Sequence, residues 1–309
     1  MAKTKNKNLH NANKTKNDEF YTQLTDIEKE LKYYHSQFEN KIVYCNCDYP
    51  EKSNFFKYFA TNFDVLKLKK IITTHFAYSD MFTEGDTYKL ELDHQIEINR
   101  EGIFDLSKLK KTILKENGDF RSAECIEFLK EADIVVTNPP FSLFREYVAQ
   151  LIEYDKKFLI IGNKNAITYK EIFPLIKNNK LRLGYSSPEK FINSECEITK
   201  NVVGLCRWFS NLAVKKYEDD IILCEEYAPE KYLKYDNYNA INIDKTAEIP
   251  KDYDGVMGVP ISFLDKYNPK QFEILGIDRY IDNNLSPGKR FSINRNEIYA
   301  RILIKKIKK

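Results

Sequence analysis

An apolar run, Asp133-Ile-Val-Val-Thr137, stops in Asn138-Pro139-Pro140-Phe141. The run has the length of a buried strand, and the two prolines cannot continue one, because proline has no N–H and a fixed φ. The rim of a sheet would then carry an amide side chain, a proline carbonyl and an aromatic ring. The amide oxygen and the carbonyl can both accept hydrogen bonds from one NH2 group, and Phe141 offers a stacking face. Together these groups suit the holding of a planar, amine-bearing molecule while its nitrogen reacts. The same four residues also serve as a plain turn, since Asn-Pro and Pro-Pro mark turns generally. The elements around them choose between the two.

Those elements alternate. Residues 41–47 read as a buried strand. Residues 53–63 form a helix, with Ser53 as a possible N-cap and Phe55, Phe56, Phe59 and Phe63 on one face. Residues 69–76 are a second strand. Residues 87–98, with Tyr88, Leu90 and Leu92 alternating against polar neighbours, are a half-exposed strand or hairpin. A short helix at 122–131 precedes the 133–137 strand, and a helix at 143–154 precedes a fully apolar strand at 157–162. Residues 167–176 are helical, broken by Pro174, and strands follow at 202–212 and 221–223. This order predicts a mostly parallel sheet with helices on both faces. Ligands of such sheets sit beyond the carboxyl ends of the strands, where Cys47 and Asp48, Asn138 and Asn163 all fall.

The chain divides into three by character. Residues 1–17 form a flexible basic arm with Lys3, Lys5, Lys7, Lys14 and Lys16 and no acid. Residues 18–225 hold the α/β pattern. Residues 226–309 form a smaller Tyr-rich C-terminal module, and from Pro287 onward Glu297 is the single acid. Basic ends serve as nucleic-acid arms, although a lysine-rich tail can also be merely solvated. The net charge of +3 over 309 residues makes no global case for nucleic acid. There is no apolar run of membrane-spanning length and no signal-peptide core, so an intracellular protein is expected. The six cysteines lack zinc-site spacing, and reduced thiols without a metal are expected.

No phosphate-binding loop, GxGxxG, GxSxG or HExxH motif occurs, and the histidines (His10, His35, His75, His94) lie away from Asn138. The Asn-Pro-Pro-Phe strand end is similar to the catalytic motif of amino-group methyltransferases that use S-adenosylmethionine. More specifically, several strings resemble the EcoRI-type adenine-specific DNA methyltransferase family. They are Asp18-Glu19-Phe20-Tyr21-Thr22, VYCNCD at 43–48, SNFFKYF at 53–59, GDFRS at 118–122, DIVVTNPPFSLFREY at 133–147, KKFLIIGNKNAITYK at 156–170 and YDGVMGVPISFLDKYNPKQF at 253–272. The resemblance covers most of the chain in collinear order. It diverges between about 183 and 202.

The resemblance implies a Rossmann-like methyltransferase fold and transfer of a methyl group from S-adenosylmethionine to the N6 amine of an adenine in double-stranded DNA. The reactive groups would be Asn138, Pro139, Pro140 and Phe141. The adenine must be flipped out of the duplex to be reached; Phe141 would stack on it, with Trp208 or Phe209 as the second aromatic. Trp208 also reads as a core residue. Cofactor contacts would come from Phe20, Tyr21, Asn46, Cys47, Asp48, Asp119, Phe120 and Asn138. Asp119 could instead cap the following helix, and Asp48 the helix at 53–63. The glycine-rich loop that most methyltransferases place after the first strand is Asn46-Cys47-Asp48-Tyr49-Pro50 here, as in the resembling family. The basic arm and the C-terminal module would meet DNA phosphates, with a separate restriction endonuclease as a possible companion in the cytoplasm of a bacterial or phage-infected cell and action as a monomer. Competing readings are a same-fold methyltransferase acting on RNA or a protein glutamine amide, a catalytically silent DNA-binding relative, and a nuclease, for which no carboxylate–Lys cluster is evident.

Overall fold

A computed structural model describes residues 21–47, 50–76, 87–94, 109–192, 198–282 and 285–308. The chain divides into two compact units, one of residues 1–164 and 186–212, the other of 165–185 and 213–309. The sequence places its change of character at 226. The second unit instead takes in 165–185, because the short helix α5 (Phe173–Lys177) packs on a strand of that unit, and Lys177 Nζ donates to the Leu275 carbonyl at 2.7 Å.

In chain order the first unit contains β1 (Tyr21–Thr22), α1 (Leu24–Leu31), β2 (Ile42–Cys45), α2 (Asn54–Thr61), β3 (Lys70–Thr74), β4 (Tyr88–Leu92), β5 (Lys110–Ile113), α3 (Ala123–Glu131), β6 (Ile134–Thr137), α4 (Phe144–Glu153) and β7 (Lys157–Asn163). After β8 (Arg182–Leu183), which belongs to the second unit, come β9 (Lys190–Ile192), β10 (Ile198–Asn201) and β11 (Cys206–Ser210). The large sheet of this unit runs β5-β4-β3-β2-β6-β7-β11. Its centre, β3-β2-β6-β7, is parallel, and antiparallel strands flank it on both sides. The central strands are buried on both faces, as IVYC and IVVT predict. At the edge, Tyr88, Leu90 and Leu92 turn inward while Lys89 and Glu91 are half-buried, matching the alternation in the sequence.

Helices cover both faces. Phe55 of α2 meets Trp208 edge-on at 6.0 Å, and Phe144 of α4 meets Phe209 at 5.1 Å. Trp208 and Phe209 are consecutive, so they point to opposite faces of the sheet. Helix α2 buries Phe55, Phe56, Tyr58 and Phe59, and Ser53 caps it, its Oγ accepting from Phe56 N at 3.3 Å. Such a cap stabilises by about 1 kcal/mol; each fully buried Phe adds roughly 1.5–3 kcal/mol. Gly162 on β7 lets α4 sit close, since a Cβ there would lie 2.4 Å from the Phe144 ring. A separate three-stranded sheet, β1-β9-β10, is antiparallel. Two buried carboxylates of α1 hold the segment leading into it. Glu30 accepts from Ser186 N and Oγ at 2.6 and 2.7 Å, and Asp26 accepts from Glu189 N at 2.8 Å.

The second unit has a four-stranded sheet of β12 (Ile241–Asn242), β13 (Met257–Pro260), β14 (Phe272–Ile277) and β17 (Arg301–Lys306) in the order β12-β13-β17-β14. A hairpin of β15 (Ser292–Ile293) and β16 (Asn296–Glu297) accompanies it. Two local expectations are corrected. Pro174 sits in the first turn of α5 rather than breaking a helix, which is where a missing N–H costs nothing. Residues 221–223 form no strand. There the Gln271 side chain takes the place of a neighbouring strand, accepting from Ile221 N at 2.7 Å and donating to Ile221 O at 2.8 Å.

Candidate active site

Strands β2 and β6 are parallel neighbours, with Tyr44 opposite Val135. Their carboxyl ends therefore deliver Asn46-Cys47 and Asn138-Pro139 side by side. The Thr137 hydroxyl donates to the Asn46 carbonyl, tying the two strand ends together. Asn138 is buried at 8 % exposure, Pro139 is buried, and Pro140 and Phe141 are half-buried. The chain then enters α4 directly through a short 3-10 turn, Phe141–Leu143.

Asn46 is fixed from a second direction. Tyr147 of α4, fully buried, donates its hydroxyl to Asn46 Oδ1 at 2.5 Å. Burial, and then the nearby Cys47 thiol, push the Tyr147 hydroxyl well above the usual tyrosine range, so it stays a donor. Cys47 takes a positive φ of 68°, a backbone state that lets the strand end turn sharply without glycine.

Residues 118–121 are drawn to the same helix. Phe120 packs edge-on against Tyr147 at 4.9 Å, and its carbonyl accepts from Gln150 Nε2 at 3.1 Å. Arg121 reaches Glu146 at 3.1 Å. Gly118, at φ +76°, lies against the His75 carbonyl at the end of β3, where a Cβ would come within 2.2 Å. Asp119 does not cap α3. Ser122 does, accepting from Cys125 N at 3.2 Å. Arg121 instead grips both Asp119 oxygens at 2.9 and 2.8 Å. Burial works to raise the Asp119 carboxyl, but the Arg121 hydrogen bonds outweigh it and hold the group below its usual range. Asn46, Cys47, Asp119 and Phe120 are thus brought together around one face of α4.

Phe141 lies 6.2 Å from Phe191 of β9, edge to face. Phe191 pairs with Thr22 of β1, and the Thr22 carbonyl accepts from Asn54 Nδ2 at 2.8 Å. The Tyr21-Thr22 strand is therefore linked through Phe191 to Phe141 and through Asn54 to the start of α2. Phe20, Asp48, Lys3, Lys5, Lys7, Lys14 and Lys16 lie outside the described residues. Among the described residues no group of His, Cys, Asp and Glu could hold a metal ion, and no helix is long and apolar enough to cross a membrane.

The profile described as "Adenine-specific methyltransferase EcoRI" matches residues 8–307. The chain belongs to the EcoRI adenine-specific methyltransferase family. It is 48% identical over 321 residues to the type II methyltransferase M.EcoRI of Escherichia coli, covering 97% of this chain and 96% of that one. It is 38% identical to the type II methyltransferase M.MgeORF184P of Mycoplasma genitalium, over 96% of this chain and 98% of the relative. It is 37% identical to the type II methyltransferase M.MpnI of Mycoplasma pneumoniae, over 86% of this chain and 84% of the relative. No solved structure matches the chain at significance. The protein is an adenine-specific DNA methyltransferase, and its mixed α/β sheet with helices on both faces is consistent with the Rossmann-like methyltransferase fold.

In this EcoRI-family chain the two further aromatics expected at the base are core residues. Trp208 and Phe209 are both 0 % exposed. Phe209 faces Phe144 on the α4 side, and a planar base could reach it only by displacing that ring. Trp208 lies on the α2 side against Phe55, and its indole N–H meets no acceptor among the described residues. Two residues that the sequence does not single out stand at the site. Tyr147 occurs inside the 133–147 string, but its partner Asn46 is far away in sequence. Phe191 lies in the divergent 183–202 stretch, where Lys190-Phe191-Ile192 carries only a short strand alternation as a signal.

Proposed function

We propose that the protein transfers a methyl group from S-adenosylmethionine to the exocyclic N6 amine of a flipped-out adenine in double-stranded DNA. The observation that carries this reading is the Asn138-Pro139-Pro140-Phe141 set at the carboxyl end of β6, beside the clamped Asn46-Cys47 turn of β2. The residues present suit the cofactor. An ionised Asp119, the Asn46 amide and the buried Phe120 ring gather on α4, and the buried Thr22 hydroxyl has no hydrogen-bond partner among the described residues. Asn46, Cys47, Asp119, Phe120 and Tyr21 would hold the cofactor, with Phe20 and Asp48 as further candidates. When bound, S-adenosylmethionine supplies an electrophilic methyl group on a sulfonium sulfur.

The chain's own contribution is to the amine. Adenine N6 is a weak nucleophile because its lone pair is delocalised into the ring. The Asn138 amide oxygen and the Pro139 carbonyl accept its two N–H bonds, which favours a pyramidal nitrogen with a localised lone pair. Phe141 stacks on the ring and fixes its plane. Catalysis is then positioning plus preorganised dipoles, with no covalent enzyme intermediate. The aromatic beside Phe141 in this reading is Phe191, in place of Trp208 or Phe209.

Duplex DNA is the substrate partner, and a separate restriction endonuclease with the same site is the companion that type II systems imply. The protein acts as a monomer in the cytoplasm. Incubation with labelled S-adenosylmethionine and unmethylated duplex DNA, followed by nucleoside analysis, tests the reading. N6-methyladenine is expected. Label in RNA or protein alone would move the substrate, and no transfer with no cofactor bound would leave a silent DNA-binding relative.

A further inference from the structure

The β15–β16 hairpin of the second unit has a two-residue turn. Ser292 pairs with Glu297 and Ile293 with Asn296, leaving Asn294 and Arg295 as the connection. Both take positive φ, 52° and 67°. Two consecutive residues of this kind make the tight turn whose twist matches the strands. Asn tolerates such a backbone; at the second position glycine is the low-cost residue, and here it is arginine. The backbone conformation therefore does not account for the arginine.

The hairpin is mounted firmly. Asp236 accepts from Arg295 N at 2.8 Å, Asn294 N at 3.2 Å and Ser292 Oγ at 3.1 Å. Its carboxyl is held below the usual range, first by the Arg295 N–H bond. Asn237 takes Ser292 N at 3.1 Å on its Oδ1 and gives Nδ2 to Arg290 O at 3.1 Å. At the base, Phe291 is fully buried and stacked on Tyr235 at 4.6 Å, and Ile293 and Ile298 pack on the same cluster. The tip is the opposite: Asn294, Arg295, Asn296 and Glu297 are all exposed. No hydrogen bond or ion pair to another side chain engages the Arg295 guanidinium among the described residues. Beside the hairpin in sequence, Lys289 is exposed, and Arg290 lies over the half-exposed Tyr299 ring at 5.3 Å. The tip carries one acid, Glu297, and the Asp236 carboxylate lies close enough to Arg295 to interact with its charge. A rigid ribbon with an exposed arginine at its tip and Lys289, Arg290 and Tyr299 beside it still offers a nucleic acid cations and a stacking face, and a two-stranded ribbon fits the major groove of B-form DNA.

We infer that the β15–β16 hairpin is a DNA-contact element that enters a groove of the duplex with Arg295 at its tip. The inference rests on the DNA-methyltransferase reading and adds to it an element and a residue. Asp236 is the positioning residue that holds the tip, and Arg295 is the contact.

Arg295→Gly tests it, because glycine suits the backbone at 67° while removing the guanidinium. Binding of unmethylated mixed-sequence duplex should weaken by roughly tenfold or more, as for loss of one good arginine contact. The thermal midpoint should stay level or rise, and S-adenosylmethionine binding should be unchanged. A merely structural arginine would not separate affinity from stability in this way. Duplex affinity within about twofold of the parent, or a fall in stability parallel to the fall in affinity, would overturn the inference. Failure of the parent to bind any duplex would overturn the DNA reading itself, which distinguishes the two.

Discussion

Replacing Tyr147 with Phe removes one hydroxyl and little else. The ring keeps its 4.9 Å contact with Phe120, so no large cavity opens. What is lost is the donor to Asn46 Oδ1, between a fully buried phenol and an asparagine 4 % exposed. An amide oxygen left buried without its donor costs about 1–3 kcal/mol. The Asn46 backbone carbonyl keeps Thr137, so the strand ends stay joined while the side chain is released. The protein has one tryptophan, Trp208, which is fully buried in the first unit. Its fluorescence in a urea titration therefore reports on the packing around β11, beside which α2 and α4 lie. Tyr147→Phe should shift the transition by about 1–3 kcal/mol, and S-adenosylmethionine affinity should fall by up to roughly tenfold, since 1.4 kcal/mol is a factor of ten in a binding constant. A transition within about half a kcal/mol of the parent would refute the hydrogen-bond argument. A destabilised protein with unchanged cofactor affinity would detach Asn46 from the cofactor.

Gly162→Ala places a Cβ 2.4 Å from the Phe144 ring, which is itself buried and cannot swing out; a loss of about 1–3 kcal/mol in the same Trp208 titration is expected. Alkaline pH provides a third test. Burial raises the Tyr147 and Tyr44 hydroxyls well above the usual value and pushes Tyr58 up to about 12. Their folded pKa values exceed the unfolded ones, so the stability they contribute is complete below about pH 10 and lost above it, as the unfolded chain releases phenolic protons that the folded chain keeps. Tyr147→Phe should therefore lose less stability than the parent between about pH 10 and 12. An identical slope in the two proteins would contradict the burial argument.

The parallel sheet was legible because its central strands are buried on both faces and read as unbroken apolar runs, and because Asn138-Pro139-Pro140 cannot extend a strand. Ser53 was an equally local signal, whereas the cap of α3 is Ser122 and not the Asp119 that the sequence offered. What the sequence hid lies in contacts between distant segments. Tyr147 serves Asn46 across 101 positions. Phe191 meets Phe141 from a strand that pairs with Thr22 and whose approach, at Ser186 and Glu189, is held on α1 by Glu30 and Asp26. Trp208 and Phe209 looked like candidates for stacking, yet their strand is covered by α2 on one face and α4 on the other. Gln271 substitutes for a strand beside Ile221, a role that no propensity encodes. That residues 165–185 belong with the second unit reflects the packing of α5 on β14, which composition does not register.

The measurement closest to the central claim compares Asn138→Ala with the parent in transfer of labelled methyl groups from S-adenosylmethionine to duplex DNA, with cofactor binding followed by calorimetry. Turnover to N6-methyladenine should fall by at least roughly a hundredfold while cofactor affinity and the Trp208 unfolding transition change little, as expected for loss of one preorganised polar group at the reacting amine. Turnover equal to the parent's would remove Asn138 from the chemistry and contradict the account.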